Sequence, residues 1–182
     1  MVASAITNGE LTLENCRLDH LMAFVDRLAA VGVNVEKGAQ GVTVSSARRL
    51  EPADVTTQPF PGFPTDLQAQ IMTLLCLADG NSIITEKIFP DRFLHVAELS
   101  RMGAHLRKEG PTVMVQGVKR LIAAPVMASD LRASAALVLA GLAARGATRV
   151  HRVYHLERGY ERLDDKLRAV GADIQRKEGE EL

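Results

Sequence analysis

The chain has 182 residues, of which 47% are hydrophobic and 24% charged, enough apolar material for one sizeable core and too little charge for a disordered chain. Its 22 basic and 22 acidic side chains cancel, so no global basic field draws it to nucleic acid or a membrane surface. The longest apolar run, 133–144, falls short of the roughly 18 residues a bilayer span needs and reads as a buried helix. No secretory signal is evident, and two unpatterned cysteines, Cys16 and Cys76, fit a reducing cytoplasm. Cys76 lies within Leu74-Leu75-Cys76-Leu77 and reads as a core thiol; with no CxxC pair, no zinc site is expected.

The elements recur. Segments 9–32, 80–103 and 146–171 each open and close on glycine. Each begins with a strand-like stretch, at 10–16, 82–89 and 147–156. A helix follows: Leu18, Leu21, Met22, Val25, Leu28 and Ala29 share one face in the first copy, Val96, Leu99 and Met102 in the second, and Tyr160, Leu163, Leu167 and Val170 in the third. Each helix stops at a glycine suited to a left-handed cap. Further strands are expected at Val33-Asn34-Val35, Ala104-His105-Leu106 and Ala172-Asp173-Ile174, then at Val42-Thr43-Val44 and at 112–115.

Copies two and three carry a leading helix, opening at Asp66 and at Asp130. From Leu131 to Leu142 almost no polar face remains, so this helix is buried on all sides, with helices inside and sheets outside. Only eight residues precede Gly9, so the first copy is expected to lack its leading helix and to expose apolar surface there. A β-α-β-β unit with a leading helix, roughly 65–70 residues long, implies pseudo-symmetric stacking. The expected organisation is one domain over 1–178, with repeats at about 1–60, 61–125 and 126–178, and a charged tail at 179–182.

Candidate chemistry gathers before the helices. Asp66 and Asp130 sit at helix starts, where capping alone would explain them. Arg132 stands near the positive end of a helix and requires a carboxylate or anionic ligand nearby. Arg92 and Arg158 end equivalent strand-to-helix connections; each is a solvated charge or an anion ligand, since guanidinium binds phosphate and carboxylate bidentately. Equivalent loops of stacked repeats converge, so Asp66, Arg92, Asp130, Arg132 and Arg158 are candidates for one cluster. His95 with Glu98, and His151 with His155, have incomplete metal spacing and read as structural. No glycine-rich phosphate loop and no serine-nucleophile signature occurs.

Four stretches resemble one family. Phe63-Pro64-Thr65-Asp66-Leu67-Gln68-Ala69-Gln70, Asp91-Arg92-Phe93, Ser129-Asp130-Leu131-Arg132-Ala133-Ser134-Ala135 and Tyr154-His155-Leu156-Glu157-Arg158-Gly159-Tyr160-Glu161 resemble the UDP-N-acetylglucosamine 1-carboxyvinyltransferases, over about residues 6–179. The sister 3-phosphoshikimate 1-carboxyvinyltransferases share the repeat architecture but are not expected to carry the first and last stretches in this form. The resemblance implies an α/β fold, the inside-out α/β barrel (EPSP synthase-like) built of repeated βαβαββ units, with the first repeat truncated here. It implies transfer of the enolpyruvyl group of phosphoenolpyruvate to the 3′-hydroxyl of UDP-N-acetylglucosamine with loss of phosphate, the first committed step of peptidoglycan synthesis. No cofactor is implied.

Asp66 matches the family's carboxylate that holds the sugar hydroxyl and is proposed as its general base, a role the chemistry needs. Ile88 matches a nucleotide-sugar contact, and Arg158 an arginine facing phosphoenolpyruvate. Arg92, Asp130 and Arg132 match charged residues of the same cleft, suited to stabilising anions. Glu157 stands where the family usually has Asp, and Ala97 where Pro is common. The family's N-terminal half, with its lysine-asparagine pair and reactive-cysteine loop, has no match, and neither Cys16 nor Cys76 inherits that reactive role. The chain therefore reads as a C-terminal part supplying one wall of an interdomain site, inactive alone, with the missing half as its partner; the alternative readings are a non-catalytic binding or structural fragment and a complementing half of a split enzyme.

Overall fold

The structure of the chain, a computed structural model, describes residues 1–46 and 49–177. The proposed tail, 179–182, lies outside the described residues. Three helices meet at the centre: α1 (Val2–Ile6), α3 (Gln68–Leu75) and α5 (Leu131–Ala143) pack against one another. All eight residues of α3 are buried, and α5 buries Ala133 through Val138 and Ala140. Helices with this composition have no face for water, and the core they form includes Ile71, Leu74, Leu75 and Leu137, each 0% exposed.

Sheets surround these helices. β1 (Glu10–Leu13), β2 (Val33–Gly38) and β3 (Gly41–Ser46) form an antiparallel sheet in the order β1-β3-β2. β4 (Val55–Thr56), β5 (Asn81–Thr85), β6 (His105–Glu109) and β7 (Thr112–Gln116) form a second in the order β4-β5-β7-β6, with β4 and β5 parallel. β8 (Pro125–Met127) and β9 (Arg149–His151) make a parallel pair. α1 packs on β3, α3 on β5 and β7, and α5 on β9. The outer helices α2 (Met22–Ala30) and α4 (Leu94–Arg101) lie against β2 and β6. α2, α4 and α7 (Leu163–Ala169) each end near a glycine at φ +89, +86 and +96, the left-handed stop expected of Gly32, Gly103 and Gly171.

Four expectations need correction. The first leading helix is present as α1: Val2, Ala5 and Ile6 are buried, and Ser4 Oγ donates to the Val44 carbonyl at 2.7 Å. A five-residue turn carries too little periodicity to be read from sequence, and the apolar surface expected at its place is covered. The strand expected over 147–156 stops at His151. Arg152 turns left-handed, at φ +59, and a short helix α6 (Tyr154–Glu157) follows. The strand expected over 82–89 ends at Thr85 in a hydrogen-bonded turn. Ala172-Asp173-Ile174 forms no strand, because no partner strand lies beside it among the described residues. Ile174 packs instead with Leu163 and Leu167 in a small apolar cluster against α5.

Candidate active site

Three helix starts converge on one carboxylate. Asp66 lies in the short 3₁₀ turn Thr65–Leu67 that leads into α3. Arg92 lies two residues before α4, and Arg132 in the first turn of α5. Asp66 Oδ1 accepts from Arg92 Nη1 at 3.1 Å, from Arg132 Nε at 2.8 Å and from Arg132 Nη2 at 2.7 Å. The carboxylate that Arg132 required is thus Asp66, from another helix.

The Asp66 side chain is 59% exposed, and ion pairs so exposed contribute about 0–1 kcal/mol. Two guanidiniums on one carboxylate leave an excess positive charge, and helix N-termini add to it. All three bonds fall on Oδ1; Oδ2 accepts from no group among the described residues. The cluster can therefore hold an anion on its arginines while Oδ2 takes a hydroxyl proton.

The remaining candidates divide. Asp130 is the N-cap of α5: Oδ1 accepts from Arg132 N at 2.8 Å and Ala133 N at 3.0 Å. The structure gives it the capping geometry, next to Arg132 but with no direct bond to Asp66. Arg158 follows α6, is exposed, and its side chain bonds to nothing among the described residues. Its loop is anchored at the same end of the molecule, for Gly159 packs against the Leu131 side chain and Tyr160 Oη bonds Gln70 Nε2 at 3.1 Å. Ile88 N donates to Glu86 Oε1 at 2.8 Å.

Sequence reasoning passed over the residues beneath the cluster. Glu86, 0% exposed, accepts from Thr57 Oγ1 at 2.6 Å, Thr65 Oγ1 at 2.9 Å, Ile88 N and Phe89 N. Thr65 Oγ1 in turn accepts from Arg92 Nη1 at 2.9 Å, and the Arg92 guanidinium lies 4.1 Å from the Phe89 ring centroid. The signal was present: Ser82, Ile84 and Glu86 alternate in phase and are all buried. Gln68, also fully buried, donates to the Arg92 carbonyl at 3.3 Å. His95, on α4, is buried against Phe93, and burial holds its pKa down at about 4 although Asp130 pulls it up. Cys76 is fully buried, its thiol pushed up to about 12.

The chain is 59% identical over 177 residues to a UDP-N-acetylglucosamine 1-carboxyvinyltransferase of Nitratidesulfovibrio vulgaris, covering 97% of this chain and 42% of that protein. The identically named protein of Lawsonia intracellularis is 55% identical over 176 residues, with the same coverage. The chain thus spans less than half the length of these relatives. Among solved structures, the enolpyruvyl transferase NikO of Streptomyces tendae superposes with a TM-score of 0.86 at 31% identity, over 96% of this chain and 42% of that one. An EPSP synthase of Acinetobacter baumannii, at 20% identity and a TM-score of 0.64 over 97% of this chain and 43% of its own, shares the fold. The family model for EPSP synthase (3-phosphoshikimate 1-carboxyvinyltransferase) matches residues 1–167, and the chain belongs to that family.

Proposed function

We propose that this chain is the C-terminal part of a UDP-N-acetylglucosamine 1-carboxyvinyltransferase and supplies one wall of its site. The reaction joins the 3′-hydroxyl oxygen of UDP-N-acetylglucosamine to the enol carbon of phosphoenolpyruvate and releases phosphate. This is the committed step towards peptidoglycan, hence towards cell shape and division, and belongs in the cytoplasm. The observation that carries the reading is the clasp of Asp66 by Arg92 and Arg132 at three helix starts. Asp66 Oδ2 takes the sugar hydroxyl's proton, Arg92 and Arg132 neutralise the carboxylate and phosphate of the second substrate, and Arg158 reaches it from the loop after α6. Ile88 presents its carbonyl to the nucleotide sugar. Asp130 fixes Arg132 by capping α5, and whether it also moves a proton is separated from capping by Asp130→Asn.

The architecture proposed is the family's inside-out α/β barrel of βαβαββ units, with units at about 1–60, 61–125 and 126–178. β9 pairs with β8 alone among the described residues. Its second edge corresponds to where β7 stands beside β5, and the rest of the enzyme is the partner proposed for it. Because the site lies between two domains, the chain alone is expected to be inactive. A phosphate-release assay with both substrates tests this: no release above blank is expected. Release that is lost in Asp66→Ala would show that one wall suffices.

A further inference from the structure

A fully buried carboxylate needs either a cation or several donors, because desolvation is otherwise uncompensated. Glu86 has no ion-pair partner among the described residues and is met by four donors. Two of these also touch Arg92. Thr65 Oγ1 carries one proton; with that proton committed to Glu86 Oε2, only its lone pairs are left to face Arg92 Nη1. Phe89 N, 3.0 Å from Oε1, fixes the turn that sets the Phe89 ring against the same guanidinium. Thr57 Oγ1 completes the turn, accepting from Lys87 N at 2.8 Å while donating to Glu86.

We infer that Glu86 is the positioning residue of the site: through Thr65 on one side and Phe89 on the other it fixes where the Arg92 guanidinium points. The inference rests on reading the Asp66 cluster as the ligand site. Glutamine at this place has one oxygen for four donors and presents its own N–H₂ to them.

The test uses Glu86→Gln, Thr65→Val and Thr65→Ser in the full chain, each checked for native circular dichroism. The first readout needs no ligand: the Arg92 guanidinium NMR signal, assigned by its loss in Arg92→Lys. It is expected to shift or broaden in Glu86→Gln and Thr65→Val and to return in Thr65→Ser. The second readout is affinity for phosphoenolpyruvate, the substrate assigned to Arg92. It is expected to fall about tenfold in the first two variants, the scale of one hydrogen bond to a charged group. In an Arg92→Ala background, Glu86→Gln should change affinity no further. A residue that only braces the fold would lower affinity by the same factor in both backgrounds, and that result overturns the inference, as does an unmoved Arg92 signal. Should Glu86→Gln not fold, the two Thr65 variants carry the same decision. If the wild-type chain binds no phosphoenolpyruvate, the ligand reading fails, while the Arg92 signal still decides the positioning.

Discussion

Lowering the pH should destabilise this protein through one histidine. His95 is 2% exposed, its Nε2 has no hydrogen-bond partner, and its pKa lies near 4 against an ordinary 6.5. A base depressed in the folded state costs nothing above its unfolded value. As pH falls below 6.5 the unfolded chain takes up a proton that the folded chain refuses, and stability drops until both forms are protonated below about 4. The full shift is worth about 3 kcal/mol at 1.36 kcal/mol per unit, and the loss between about pH 7.5 and pH 5 is about 2 kcal/mol. Urea unfolding at the two pH values, for wild type and His95→Gln, isolates the contribution, because the other titrating groups are common to both. The wild type should lose about 2 kcal/mol more than the variant. Equal losses would refute the reasoning, as would an NMR titration that finds His95 charged at pH 6.

Three further outcomes follow from the packing. Leu137 is fully buried in the central helix α5, so Leu137→Ala should cost about 3 kcal/mol in urea unfolding, and a cost under about 1 would show that α5 is not central. Asp130→Ala should lower stability by about 1 kcal/mol through loss of the α5 cap, whereas Asp130→Asn should keep it; equal losses in thermal melts would mean the carboxylate charge matters. Cys76 should resist a thiol reagent such as DTNB in the native chain and react only on unfolding, leaving at most Cys16 to label; two fast thiols would contradict its burial.

The legible part of the fold was the part set by local pattern. An apolar run with no polar face announced α5, and glycines after amphipathic stretches announced the ends of α2 and α4. The demand of Arg132 for a carboxylate was also legible; which one met it depended on α3 packing against α5, a contact between residues 66 apart. Other features depended on tertiary context. The strand propensity of 153–156 yielded to a left-handed Arg152 and to burial of Leu156, and Ile174 found an apolar pocket but, among the described residues, no strand to pair with. α1 was hidden by shortness, since one turn is stable only because α3, α5 and β3 enclose it. Glu86 was hidden by its charge: alternation put it inside, but a bare carboxylate is expected outside until its four donors are known.

The most direct test of the central claim is a calorimetric titration of UDP-N-acetylglucosamine into this chain, wild type and Asp66→Ala, both checked for native folding. Asp66 is the carboxylate on which both arginines converge and the acceptor assigned to the sugar hydroxyl. The account predicts saturable binding by the wild type, weakened about tenfold or more in Asp66→Ala, the worth of a hydrogen bond to a charged group. No saturable binding by the wild type, or equal affinity in the two proteins, would contradict it.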